Sequence, residues 1–218
     1  ASSGTRCPSP LRRERRRSAL SDFFALISRM RHIGRWGLMR SSIPENVQEH
    51  SHMVAVLAHA LGVIKRDVFG GECDPNFLAA AALYHDSPEI LTGDMPTPIK
   101  YHSGRISSAY HEVERAAADK LINMLPVELR GVFSPLISGE VGESEKQLLK
   151  AADRLSAYIK CVEERKAGNR EFLSAEAQTR KRIEDMRLPE ADYFLEHFMP
   201  AFEKNLDELG MMTQEEEE

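Results

Sequence analysis

The chain has 218 residues, 42% apolar and 29% charged, with a formal net charge of −5. That balance fits one globular domain with a full core and argues against a disordered chain. No apolar run approaches the ~18 residues of a membrane span, so no membrane partner is expected. The longest candidate, Met53 to Ile64, is short and carries His59.

Cys7, Cys73 and Cys161 are odd in number and widely spaced, which reads as reduced thiols in a cytoplasmic protein. The charge is unevenly spread. Residues 1–18 hold Arg6, Arg12, Arg13, Arg15, Arg16 and Arg17 against Glu14, hence +5, leaving −10 for the remainder. The arginine cluster is read as a disordered or vector-derived leader, and residues 211–218, ending in Glu215 to Glu218, as an acidic tail. An acidic body offers no footprint for a nucleic-acid polymer.

Ser21-Asp22 reads as a helix N-cap region ahead of Phe23, Phe24, Ile27 and Met30 at helical spacing, with the helix ending near Gly34. A connector follows, Gly34 to Glu45, holding Arg35 and the only tryptophan, Trp36. On residue type alone these two read as a solvated charge and a core anchor. Pro44, Glu45 and Asn46 open the next helix, whose stripe is Val47, His50, Val54, Leu57, Leu61 and Ile64. His50 thus falls on the core-facing side, while His52 and His59 fall off it.

Gly70-Gly71 breaks the chain, and Asp74-Pro75 is an N-cap followed by proline at the first helical position. The helix to His85 is almost wholly apolar and is expected to be buried on most sides. It stops there because Pro88 disfavours helical φ/ψ at Ser87. His85 and Asp86 are therefore delivered at a helix terminus, with Glu89 one short turn away and a proline-stiffened loop, Gly93 to Pro98, beyond.

Ile106, Ala109, Val113, Ala116, Ala117, Leu121 and Met124 mark another amphipathic helix, and Pro126 starts one ending before Ser138-Gly139. Glu143 to Ala167 is a long helix with the stripe Leu148, Leu149, Ala152, Leu155, Ile159 and Val162, closed by Gly168-Asn169. Asp153 sits beside that stripe, where a desolvated carboxylate needs a partner. Phe172 to Met186 and Ala191 to Leu209, broken near Pro200, complete an all-α, single compact multi-helix bundle.

His50, His85-Asp86 and Asp153 come from three separate helices, each at or beside the buried stripe. Two imidazoles and two carboxylates make a mixed N/O site suited to Mn²⁺, Co²⁺, Fe²⁺, Ni²⁺ or Zn²⁺ rather than Ca²⁺.

This ordered pattern resembles the HD-domain metal-dependent phosphohydrolases. Arg35-Trp36-x-Leu-Met-Arg, Glu45-Asn46-Val47-x-Glu49-His50-Ser51, Ala151-Ala152-Asp153 and the long Tyr84-His85-Asp86-x-x-Glu89-x-Leu91-Thr92-Gly93-Asp94-x-Pro96-Thr97-Pro98 are similar to the bacterial 5′-deoxynucleotidases of the YfbR type. The likeness spans roughly residues 20 to 210, so residues 19–210 are taken as one HD domain. It implies hydrolysis of 2′-deoxyribonucleoside 5′-monophosphates, with one divalent ion, Co²⁺ or Mn²⁺ first, held by His50, His85, Asp86 and Asp153. It also implies a homodimer. Two carboxylates neutralise the ion, so a phosphate dianion needs a further cation, and Arg35 with its planar fork is assigned to it. Glu89 is the candidate to orient water or shuttle its proton. Trp36 is expected against the sugar, and the loop Asp94, Met95, Pro96 and Thr97 at the sugar and phosphate, with His50 and Asp86 also within reach of substrate. The competing expectations are another HD-domain activity, a deoxynucleoside triphosphohydrolase or a cyclic-nucleotide phosphodiesterase, and a non-catalytic nucleotide-binding helical module.

Overall fold

A computed structural model describes residues 20–100 and 102–210. The arginine-rich leader (1–18) and the acidic tail (211–218) lie outside the described residues. Among the described residues, ten α-helices and five short 3₁₀ or π turns account for most of the chain, and a single antiparallel bridge between Gly34 and Asn46 is the one β-type pairing. None of the helices is long and apolar enough to cross a membrane.

The first segment is shorter as an α-helix than its periodicity predicts. Helix α1 spans Phe23–Ile27, and the chain then tightens to 3₁₀ over Ser28–His32. Helix α2, Val47–Val63, starts on a capping box: Asn46 accepts from the Glu49 amide and Glu49 accepts from the Asn46 amide. That reciprocal cap sets the register which buries His50 one turn in. The stripe read from sequence is buried throughout, and His52 and His59 are exposed.

Helix α3, Pro75–Tyr84, begins where Asp74 accepts from the amides of Asn76 and Phe77 with Pro75 at the first position. It packs closely on α2, because a Cβ on Gly62 would stand 3.0 Å from the Pro75 Cα. As its apolar run predicts, α3 is covered on most sides, with only Asn76 and Leu83 exposed. Short helices α4, Glu89–Thr92, and α5, Thr97–Lys100, flank the predicted loop, with Gly93 at φ 73 supplying the left-handed turn between them.

Helix α6, Gly104–Met124, buries Tyr110, Ala117, Ala118 and Leu121, whereas Ile106 and Val113 of the predicted stripe are exposed. The buried face is thus turned away from the stripe's first half, because Tyr110 is drawn inward towards Gly93. Helices α7 (Val127–Ser138), α8 (Glu143–Lys166), α9 (Leu173–Glu184) and α10 (Pro189–His197) follow. The expected break near Pro200 is present, and beyond it the chain continues in 3₁₀ turns rather than resuming as an α-helix.

Two apolar clusters hold the bundle together. The larger joins α2, α3 and α8 through Val54, Leu57, Leu61, Leu78, Leu155 and Ile159, with Ile183 and Phe194 from the last helices. The smaller gathers Phe23, Leu121, Leu125 and Ile137, with Tyr84 packed against it. Tyr84 ends α3, so the His85-Asp86 pair leaves the helix with the larger cluster behind it and the smaller one alongside.

A buried ion pair closes the far end of α8. Glu164, 1% exposed, accepts from the Ser42 amide at 2.7 Å, the Ile43 amide at 3.2 Å, Asn169 Nδ2 at 2.8 Å and Lys160 Nζ at 2.6 Å. Burial works to raise its pKa, but those donors together hold it down at about 2. A depressed carboxyl stabilises the fold fully above its ordinary range near pH 4.5 and loses that contribution as pH falls towards 2. The expected difference is about 3 kcal/mol. Urea unfolding between pH 6 and 2.5 should show the wild-type chain losing more stability than Glu164→Gln by about that amount. Equal losses in the two chains would show that Glu164 contributes nothing to acid unfolding.

Candidate active site

Three helices bring together the groups that sequence placed far apart. Ligand atoms of His50 from α2, His85 at the end of α3, and Asp153 from α8 all lie within 4.8 Å of one another. Nε2 of His50 is 3.1 Å from Asp153 Oδ1 and 3.6 Å from Asp86 Oδ2, and Nε2 of His85 is 3.1 Å from Asp86 Oδ2. His50 is fully buried, whereas the Asp153 side chain is 45% exposed, so the cluster opens to solvent on the α8 side.

The other ring nitrogens are already engaged. His85 Nδ1 lies 2.6 Å from the Ala82 carbonyl, which can only accept, so that nitrogen carries the proton and Nε2 presents its lone pair. His50 Nδ1 is 3.1 Å from Ser156 Oγ. Both Nε2 atoms are buried without a well-aligned hydrogen-bond partner. Two orphaned nitrogens aimed at a common point between carboxylates fit a divalent cation, and the N/O donor set matches a mid-row transition metal.

The electrostatics agree. Burial works against charge at His85, yet the field of the adjacent Asp86 carboxylate lifts the imidazole to about 9, so proton and metal compete for Nε2. Burial likewise opposes ionisation of Asp86, but His85, His50 and Arg35 hold it well below the usual carboxylate range. Asp153 is lowered too, its partial desolvation outweighed chiefly by His50. Glu89 goes the other way. Buried, and facing the charges of Asp86 and Asp94, it is pushed up to about 9, and its Oε2 has no hydrogen-bond partner. Neighbouring carboxyls are thereby driven to opposite protonation states, the arrangement acid–base chemistry needs.

Arg35 stands over this group, Nη1 3.5 Å from Asp86 Oδ2 and Nε 3.1 Å from Glu45 Oε2. Glu45 also accepts from Trp36 Nε1 at 2.8 Å, so one carboxylate orients both side chains. The Trp36 ring leans on Phe172, centroids 5.2 Å apart, and its backbone is held at φ 61. Asp94, Met95 and Pro96 are half-buried, and Thr97 is exposed. Burial raises the Asp94 pKa while Arg35 opposes it, which places Asp94 in the field of the guanidinium. The Tyr110 hydroxyl donates to the Gly93 carbonyl at 3.4 Å and anchors the loop to α6. A cavity of about 340 Å³ adjoins the cluster, with His85, Asp86 and Glu89 on one wall and Ala118, Leu136 and Leu149 among the others.

Residues 22–202 match the family model described as YfbR-like 5′-deoxynucleotidase. The chain belongs to the YfbR-like 5′-deoxynucleotidase family. Members of that family align along most of its length. A 5′-deoxynucleotidase of Erwinia tasmaniensis is 49% identical over 191 residues, 87% of this chain and 96% of its own, and the Escherichia coli protein YfbR is 48% identical over the same shares. Among solved structures, an HD-domain phosphohydrolase of Listeria innocua superposes with a TM-score of 0.73 at 25% identity, covering 83% of this chain and 88% of that one. A cyanophage S-2L HD phosphohydrolase, described as bound to dA and one catalytic Zn²⁺ ion, shares the fold at a TM-score of 0.57 and 20% identity over 83% of this chain and 96% of its own.

Within this family setting the site also contains residues that sequence reading passed over. Glu45 looked like part of a helix start and instead aligns Arg35 and Trp36. Ser156 lies three residues after Asp153, on the buried side of α8, and its only sequence signal is that helical spacing. The Ala82 carbonyl, which orients His85, carries no side-chain signal at all.

Proposed function

We propose that this chain hydrolyses 2′-deoxyribonucleoside 5′-monophosphates to deoxynucleoside and phosphate, accepting different bases and rejecting ribonucleotides. The observation that carries the reading is the pair of orphaned Nε2 atoms converging with Asp153 and Asp86 beneath Arg35. The names carried by close relatives support the substrate class.

His50, His85, Asp86 and Asp153 would hold one divalent ion, Co²⁺ or Mn²⁺ in the first instance, with Zn²⁺, Ni²⁺ and Fe²⁺ compatible with the same donors. Such an ion acidifies water and polarises the phosphoryl group when bound. Arg35 supplies the positive charge left over once Asp86 and Asp153 have neutralised the ion, and its fork binds two phosphate oxygens. Glu89 Oε2 orients the attacking water and, in its ionised form, takes up the water's proton. Water oxygen joins phosphorus as the P–O5′ bond breaks, and the released O5′ takes up a proton. Trp36 closes over the deoxyribose face, leaving neither room nor partner for a 2′-hydroxyl, and Asp94 accepts from the 3′-hydroxyl with Met95, Pro96 and Thr97 alongside. Contacts made to sugar and phosphate leave the base unread.

Metal-reconstituted protein should release phosphate from dAMP and dTMP at comparable rates and from AMP about 10²-fold more slowly, since exclusion of a hydroxyl by an apolar wall is modest. Equal rates on dAMP and AMP would sink the sugar selectivity. The reading also places the chain in the cytoplasm as a homodimer. Exposed Val113 on α6 and Val127 and Val132 on α7 offer apolar surface for that contact.

A further inference from the structure

The connector 34–45 is tied down at both ends, by different means. At its base the Gly34–Asn46 bridge and Glu45 fix Arg35 and Trp36. At its tip every tie runs to α8 and the turn after it. Glu164 takes the Ser42 and Ile43 amides, Lys160 Nζ donates to the Ile43 carbonyl at 2.5 Å, Asn169 Nδ2 donates to the Arg40 carbonyl at 2.7 Å, and Glu171 accepts from Arg40. The Trp36 ring rests on Phe172, only three residues beyond Asn169. Trp36 is held at a positive φ, which a bulky residue keeps only where surrounding contacts over-determine it.

We propose that the Lys160–Glu164 pair is a positioning device for substrate, fixing the Arg35–Trp36 wall against the metal cluster through one rigid helix. Asp153 and Glu164 lie eleven residues apart on α8, a span of about 16 Å of straight helix. One element therefore carries a candidate metal ligand on its middle turns and the anchor of the sugar wall near its end. An i, i+4 pair on a helix surface contributes little. This one is buried, and its carboxylate also takes the two loop amides of Ser42 and Ile43. It acts on substrate only through Arg35 and Trp36, and touches neither the cluster nor Glu89. The inference rests on the deoxynucleotidase reading for its kinetic consequence, but not for its structural one.

Trp36 is the only tryptophan, so its fluorescence reports the wall directly. In Glu164→Gln, and in the paired Lys160→Met/Glu164→Leu which removes both charges together, the Trp36 emission should move to the red and be quenched more readily by acrylamide. KM for dAMP should rise about tenfold or more with kcat changed less than about threefold, and the preference for dAMP over AMP should shrink. Metal content should stay at the wild-type level. If these variants fail to fold, Asn169→Ala, which cuts the Arg40 tie and one Glu164 bond, should show the same changes in smaller measure. Folded variants with wild-type Trp36 emission and KM would overturn the proposal, as would a fall in kcat at unchanged KM. A wild-type chain that released no phosphate from any deoxynucleotide would remove the function reading instead, and the Trp36 emission of the variants would still decide the positioning role.

Discussion

Glu89→Gln is expected to lower kcat for dAMP by about 10²–10⁴-fold while leaving metal content and KM close to wild type. The substitution keeps the size and one acceptor oxygen of the side chain and removes only its ability to gain and lose a proton. Glu89 lies on the first turn of α4, three residues after Asp86, buried and with Oε2 unpartnered. A buried carboxyl with no bond to satisfy it costs stability. Its place beside the cluster therefore points to use rather than packing. Because it competes with none of the four candidate ligands, its loss should separate chemistry from binding. Steady-state phosphate release together with metal analysis checks this, and wild-type turnover in Glu89→Gln would remove the proton-transfer role.

The second large effect is expected from the cluster itself. His85→Ala should strip the protein of its metal on dialysis, with phosphate release falling by at least about 10³-fold, since the group that acidifies water and polarises phosphate goes with it. Ser156→Ala should be milder. It leaves every candidate ligand in place and removes only the hydroxyl 3.1 Å from His50 Nδ1, so metal affinity should drop about 10- to 100-fold, the usual cost of losing such a partner. Added metal should then restore Ser156→Ala far more readily than His85→Ala. Metal titration followed by phosphate release distinguishes the two, and a fully loaded, active His85→Ala protein would refute the assignment.

The cluster was readable because its members sit at places where helix periodicity makes an anomaly. His50 falls on an otherwise apolar stripe, and His85-Asp86 follow an apolar helix stopped by proline. What could not be read was anything made by tertiary approach of ordinary residues. Lys160 and Glu164 have the spacing of a solvated surface pair, and only the fold of the 40–43 segment over them converts that spacing into a buried latch. Arg35 and Trp36 looked like bland surface and core residues until the motif around them was considered, because their meaning depends on Glu45 ten and nine positions away. The buried face of α6 was misplaced for a related reason. The stripe through Ile106, Ala109 and Val113 was taken as its face, whereas Tyr110, reaching for the Gly93 carbonyl, turns a neighbouring face inward.

The close approach of Gly62 to Pro75 has a practical consequence. It makes α2 and α3 a hairpin pinched at its turn, with His50 twelve residues, or about 18 Å, up one arm and His85 at the tip of the other. The linking segment between the arms is therefore remote from both imidazoles. A reporter group or a grafted module inserted near Gly70-Gly71 would ride on the outside of the molecule, while the pinch shields the reaction centre from whatever is attached.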